Sequence, residues 1–215
     1  MIITMTTGGI AGTNSYLVGD EASGKAVIFD APDHTVAALL DEAQARELDV
    51  IGLWLTHGHF DHVADHQAVI GRYPGARVLI HRLDEPKLRD PGSSFFTLPF
   101  TIPPRGADAH VEDGDKLKLG QLDVEVLYTP GHSPGHVMYH FPKEKLLIGG
   151  DLIIMGAVGR TDLPDASAAD LERSILRVMR LPGDTRLLPG HGDPSTLDDE
   201  RRTNRFVEYV LAGAR

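Results

Sequence analysis

The chain contains no cysteine. Disulfides, thiolate zinc sites and cysteine nucleophiles are therefore excluded, and any metal must be held by nitrogen and oxygen donors. Long apolar runs are missing too: no stretch approaches the ~20 residues that a membrane-spanning helix needs, so no membrane partner is expected. Positive charge is scarce, with 21 Lys and Arg against 31 Asp and Glu and a net charge of −10. A phosphate backbone requires a basic face, which argues against nucleic acid as a partner. Met1 to Gly9 lack a basic start followed by an apolar stretch, so no export signal is expected and the chain reads as cytoplasmic.

What is present fits a globular protein. With 215 residues, 41% of them hydrophobic, the chain can bury a real core as one domain or two smaller ones. Ile2–Met5, Ser15–Val18 and Ala26–Phe29 are short apolar segments punctuated by Gly and Asp, and they read as strands. Val36, Leu39, Leu40 and Ala43 recur at helical spacing, predicting a helix over Asp33 to Leu48. Val50 to Leu55 is a continuous apolar run, expected as a strand buried on both faces. A helix over His62 to Arg72 and a strand over Arg77–Ile80 follow. Asp90 to Arg105 carries Pro91, Pro99, Pro103 and Pro104 with no clear period, and reads as a long loop joining two halves. Beyond the turn signal Asp113-Gly114-Asp115, strands are expected at 116–119, 122–128, 137–141, 145–148 and 186–188, with helices at 168–181 and 197–211. Strands followed by helices occur twice, suggesting one domain of two layered halves, roughly 1–105 and 106–215.

The informative regularity lies at the strand ends. The apolar run into Thr56 stops at His57-Gly58-His59-Phe60-Asp61-His62. Thr129-Pro130-Gly131 runs into His132, Gly149-Gly150 into Asp151, and Pro189-Gly190 into His191. Imidazole and carboxylate suit borderline divalent cations such as zinc. Rigid strands hold such loop residues in register beyond one sheet edge. A metal site is the default expectation.

These segments, in this order and spacing, resemble the metallo-β-lactamase fold, and within it the glyoxalase II-like hydrolases of short bacterial type. The resemblance runs from Thr13-Asn14-Ser15-Tyr16-Leu17 to Glu200-Arg201-Arg202-Thr203-Asn204. It implies an α/β fold, a four-layer αβ/βα sandwich, with two divalent metal ions, zinc first and iron or manganese as alternatives. By the resemblance, His57, His59 and His132 hold one ion, Asp61, His62 and His191 the other, and Asp151 bridges both. Two cations roughly 3.5–4 Å apart can share a hydroxide made at neutral pH. The implied reaction is hydrolysis of a small acyl thioester such as S-lactoylglutathione by a metal-bound hydroxide, with Asp61 orienting it and accepting its proton.

Two departures bear on the substrate. The chain ends soon after the last predicted helix, where full-length glyoxalase II carries a further helical domain that contacts glutathione. Its Gly159-Arg160-Thr161-Asp162 loop replaces a Lys- and Tyr-containing segment of those enzymes. Arg160 either meets a substrate carboxylate or pairs with Asp162. The loop also resembles the persulfide dioxygenases of the same fold, which use one iron. A non-catalytic metal-holding module is the third reading. His136 is expected to support the site from a strand edge, and His66 to be a partly exposed helix residue. His34, His81, His110 and His140 are expected to be surface or structural residues. Tyr16, Phe95, Phe96 and Phe100 either wall the pocket or cover the core. Oligomeric state is not legible.

Overall fold

The structure, a computed structural model, describes residues 1–91 and 97–214; Phe95 and Phe96 lie outside the described residues. The chain forms two compact units, one of Met1–Val111 with Leu117–Leu122, the other of Glu112–Lys116 with Asp123–Arg215. The first unit extends past the expected limit at Arg105 because its last strand pairs beyond that loop. Asp108 Oδ2 accepts the Val78 N–H at 2.7 Å just before this pairing.

Unit one contains β1 (Ile2–Gly8), β2 (Thr13–Asp20), β3 (Lys25–Phe29), α1 (Ala37–Ala45), β4 (Asp49–Trp54), α2 (Phe60–Val63), α3 (His66–Arg72), β5 (Arg77–Ile80), α4 (Glu85–Arg89) and β6 (Ala109–His110). Its mixed sheet has the order β1-β2-β3-β4-β5-β6, antiparallel across β1 to β3 and parallel across β3 to β6. Leu17, Ile28, Leu39, Leu53, Val63 and Ile80 belong to one fully buried cluster. Each such side chain contributes about 1.5–3 kcal/mol of burial.

Two predicted helices are shorter than the sequence suggests. Residues 33–36 form a turn rather than helix, with His34 at φ +56° and Thr35 Oγ1 donating to the Asp33 carbonyl. At the other end Glu47 takes a left-handed conformation while Leu48 N bonds to Ala43 O and Glu47 N to Gln44 O. This Schellman ending buries Leu48 and stops α1 without a glycine. The expected 62–72 helix breaks at Ala64–Asp65 because the loop after β3 claims its backbone groups. Ala31 N bonds to His62 O, Asp65 N to Ala31 O, and Thr35 N to Asp65 Oδ2.

β7 (Lys116–Leu119) follows, with Leu117–Leu119 counted in unit one, and then β8 (Leu122–Tyr128), which from Asp123 on belongs to unit two. Unit two continues with β9 (Val137–Phe141), β10 (Leu146–Gly150), β11 (Ile153–Ile154), β12 (Ala157–Val158), α5 (Ala168–Val178), β13 (Arg186–Pro189), β14 (Ser195–Thr196), α6 (Leu197–Thr203) and α7 (Arg205–Gly213). The second sheet has the order β14-β13-β10-β9-β8-β7 and β11-β12 form a small hairpin. On α5, Ser167 caps the start through Asp170 N, and Leu171, Ile175 and Val178 present one buried face at helical spacing. The single closing helix expected over 197–211 is instead two. Asn204 ends α6 and its Oδ1 accepts the N–H groups of Phe206 and Val207, capping α7. Among the described residues, no helix is long and apolar enough to cross a membrane.

Candidate metal centre

In unit one, β4 delivers the chain through Thr56 to His57, and the short α2 begins after His59. His57, Asp61 and His62 are buried. His57 and His62 rings lie 4.0 Å apart and His57 and His59 rings 4.7 Å apart. His57 Nε2 is 3.1 Å from His59 Nδ1, and His62 Nε2 is 3.4 Å from Asp61 Oδ2. Asp61 Oδ2 also accepts from Thr13 Oγ1 at 2.7 Å.

The rings are aimed from behind. Asp30, buried at the end of β3, accepts the Thr56 N–H at 2.8 Å and the Thr56 hydroxyl at 2.7 Å. The same carboxylate takes the His62 Nδ1 proton at 2.8 Å, which leaves Nε2 as the donor nitrogen. Thr56 Oγ1 lies 3.0 Å from His57 Nδ1 and fixes that ring's orientation in the same way.

In unit two, three strand ends converge. His132 follows β8, Asp151 follows β10 and His191 follows β13. Asp151 Oδ2 is 3.5 Å from His132 Nε2 and 3.3 Å from His191 Nε2. His132 Nδ1 donates to the Arg160 carbonyl at 2.9 Å, again leaving Nε2 as the donor. His136 is buried and its Nε2 accepts the Asp151 N–H at 2.9 Å. Its Nδ1 then carries the proton and donates to Thr129 Oγ1 at 2.9 Å. Both of its nitrogens are used, so His136 fixes the backbone of Asp151 and is not a ligand. A Cβ on Gly159 would lie 2.0 Å from the Asp151 carbonyl and 2.9 Å from the His132 ring, so only glycine fits behind this pair.

The donor set fits a divalent cation. Two ligands at 2.0–2.1 Å from a tetrahedral ion lie about 3.3 Å from each other. The four pairs, His57–His59, Asp61–His62, His132–Asp151 and His191–Asp151, span 3.1 to 3.5 Å. The seven residues named from the sequence thus gather as four in one unit and three in the other.

Other expectations fare differently. His66 is fully buried rather than partly exposed, because the break after α2 turns it inward, where Nδ1 donates to the Val63 carbonyl at 2.9 Å. His81 and His140 are buried, whereas His34 and His110 are exposed. Tyr16 belongs to the core, and Phe100 packs edge-on against His34. Arg160 forks onto Asp162, with Nε–Oδ1 at 2.6 Å and Nη2–Oδ2 at 2.7 Å. This bond holds the Asp162 carboxyl at about 2. Asp30 went unread in the sequence, although it too follows an apolar strand directly.

The family pattern of the Metallo-beta-lactamase superfamily matches residues 8–191, and the chain belongs to that superfamily and has the metallo-β-lactamase fold. A probable metallo-hydrolase, YqgX of Bacillus subtilis, is 30% identical over 94% of this chain and 95% of its own length. Hydroxyacylglutathione hydrolase of Maricaulis maris is 34% identical over 82% of this chain, which spans 60% of that enzyme. Among solved structures, the B3 metallo-beta-lactamase BLEG-1 matches with TM-score 0.88 and 33% identity, over 96% of this chain and 99% of the other. TTHA1623 in a di-iron-bound form matches with TM-score 0.83 and 36% identity, over 96% and 100%. Within this superfamily the chain carries His/Asp groups suited to holding a divalent metal.

Proposed function

We propose that the protein hydrolyses a small acyl thioester at a two-metal centre. The carrying observation is the set of four donor pairs at ligand spacing, with Asp151 Oδ2 common to two of them. By the resemblance, His57, His59 and His132 would hold one divalent cation, Asp61, His62 and His191 a second, and Asp151 would serve both. Zinc suits these donors, and the di-iron neighbour supports iron as an alternative. When bound, such a pair of cations would supply Lewis acidity toward an acyl carbonyl and would bring the pKa of water toward neutrality.

The chain's own groups supply the rest. Asp61, held by the Thr13 hydroxyl, orients the attacking water and accepts its proton. Asp30 and the Arg160 carbonyl keep His62 and His132 in their Nε2-donating forms. A thiolate is a good leaving group, so this reaction calls for no strong general acid. The Maricaulis relative supports a thioester as the substrate class, while the Arg160–Asp162 fork gives no sign of a glutathione carboxylate site.

The test is turnover of S-lactoylglutathione, a simple acyl thioester and a β-lactam by zinc-loaded protein, with oxygen uptake followed on glutathione persulfide by iron-loaded protein. Cleavage of thioesters well above the β-lactam supports the proposal. Oxygen uptake without thioester cleavage, or preferential β-lactam cleavage, contradicts it.

A further inference from the structure

Asp84 stands immediately before α4 and is completely buried. Its Oδ2 accepts the backbone N–H of Gly58 at 2.8 Å, and Lys87 Nζ donates to its Oδ1 at 3.2 Å. Gly58 lies between His57 and His59. The two segments pack so closely that a Cβ on Gly58 would sit 2.7 Å from the Asp84 carbonyl oxygen and 2.9 Å from Lys87 Cβ. Glycine is therefore required here for close approach, not for a turn.

A carboxylate withdrawn from water is unfavourable unless it is paired and hydrogen-bonded. Here the Lys87 ammonium provides the charge and the Gly58 amide a charge-assisted hydrogen bond, roughly twice as strong as a neutral one. The carboxylate is turned toward Gly58, although its position before the helix suits it to capping α4. We propose that Asp84 is a positioning residue for the His57–His59 pair, fixing the 3.1 Å spacing of their ring nitrogens through the Gly58 amide. It does for the first pair what Asp30 does for His62, but through the main chain. The inference rests on His57 and His59 being metal ligands.

The experiment compares wild type with Asp84→Ala, which removes the acceptor, and Asp84→Asn, which keeps an acceptor oxygen without the charge. Three quantities are read: zinc affinity by competition with a chelator, amide exchange at Gly58 in metal-free protein, and the metal-free thermal midpoint. Asp84→Ala should speed Gly58 exchange and weaken zinc binding roughly 10–100-fold, the usual loss when a ligand's support is removed. Asp84→Asn should restore most of the Gly58 protection and part of the affinity. Unchanged Gly58 exchange in Asp84→Ala overturns the inference, as does wild-type zinc affinity once that amide is exposed. A lowered midpoint with unchanged affinity assigns Asp84 a purely structural role and also overturns it. A wild type that binds no zinc, while Asp84→Ala still speeds Gly58 exchange, defeats the metal reading itself.

Discussion

Asp30 receives three hydrogen bonds at once, two from Thr56 and one from His62 Nδ1, and this shows how single residues divide the work. In the proposed centre the ligands would supply lone pairs, while the Asp30 carboxylate and the Arg160 carbonyl behind them decide which nitrogen is offered. His59→Ala should therefore reduce turnover to background, whereas His140→Leu, at a residue outside the four donor pairs, should retain near wild-type turnover; equal losses would contradict the ligand assignment. His140 matters in another way. Burial holds its pKa, and those of His66 and His81, below the ordinary histidine value of about 6.5. The unfolded chain then binds more protons than the folded one as pH falls through about 6.5, so stability present above that value is lost toward the folded-state pKa. Urea unfolding of metal-free protein should show stability falling from pH 7.5 to 5.5, less steeply in His140→Leu; an identical slope would remove His140 from the account. The candidate ligands stood out because His57, His132, Asp151 and His191 each follow an apolar segment that stops at a small or polar residue. Asp84 was not, since a buried acceptor for Gly58 looks in sequence like any aspartate before a helix.

Elements position these residues through a few close approaches. The loop after β12 brings Gly159 against Asp151 and His132, where a Cβ would have no space. Gly159→Ala should lower metal affinity roughly tenfold or more, by displacing a ligand's support, while leaving the far-ultraviolet circular dichroism unchanged. Wild-type affinity in that variant would mean the loop is slack. Asn204 joins three elements: it caps α7, donates to the Ala157 carbonyl at 2.8 Å and donates to buried Glu200 at 2.8 Å. Losing the cap and these bonds, Asn204→Ala should destabilise the protein by about 2–4 kcal/mol in urea unfolding. A change below half a kilocalorie would place the break between α6 and α7 elsewhere. Hydrophobic spacing located the closing helical region but not this break, because Leu197, Val207 and Val210 suit one long helix as well as two. The split between α2 and α3 was hidden for the same reason: Ala31 and Thr35, remote in sequence, supply its competing hydrogen bonds.

At the scale of the whole molecule, each unit carries its own buried core and its own mixed sheet, and each contributes donors at strand ends. The fold was legible because the strand-end motifs recur in order along nearly the entire chain, and the superfamily match over residues 8–191 agrees. The substrate was not, since the motifs encode the metal chemistry while selectivity depends on loops such as Gly159 to Pro164. The central claim is that seven side chains hold a pair of divalent cations. Its most direct test is zinc per chain by elemental analysis, after saturation and removal of excess metal, in wild type, His59→Ala and Asp151→Asn. The account predicts two ions per wild-type chain and a clear loss in both variants. A wild type that retains none, or variants that retain as much as wild type, would contradict it.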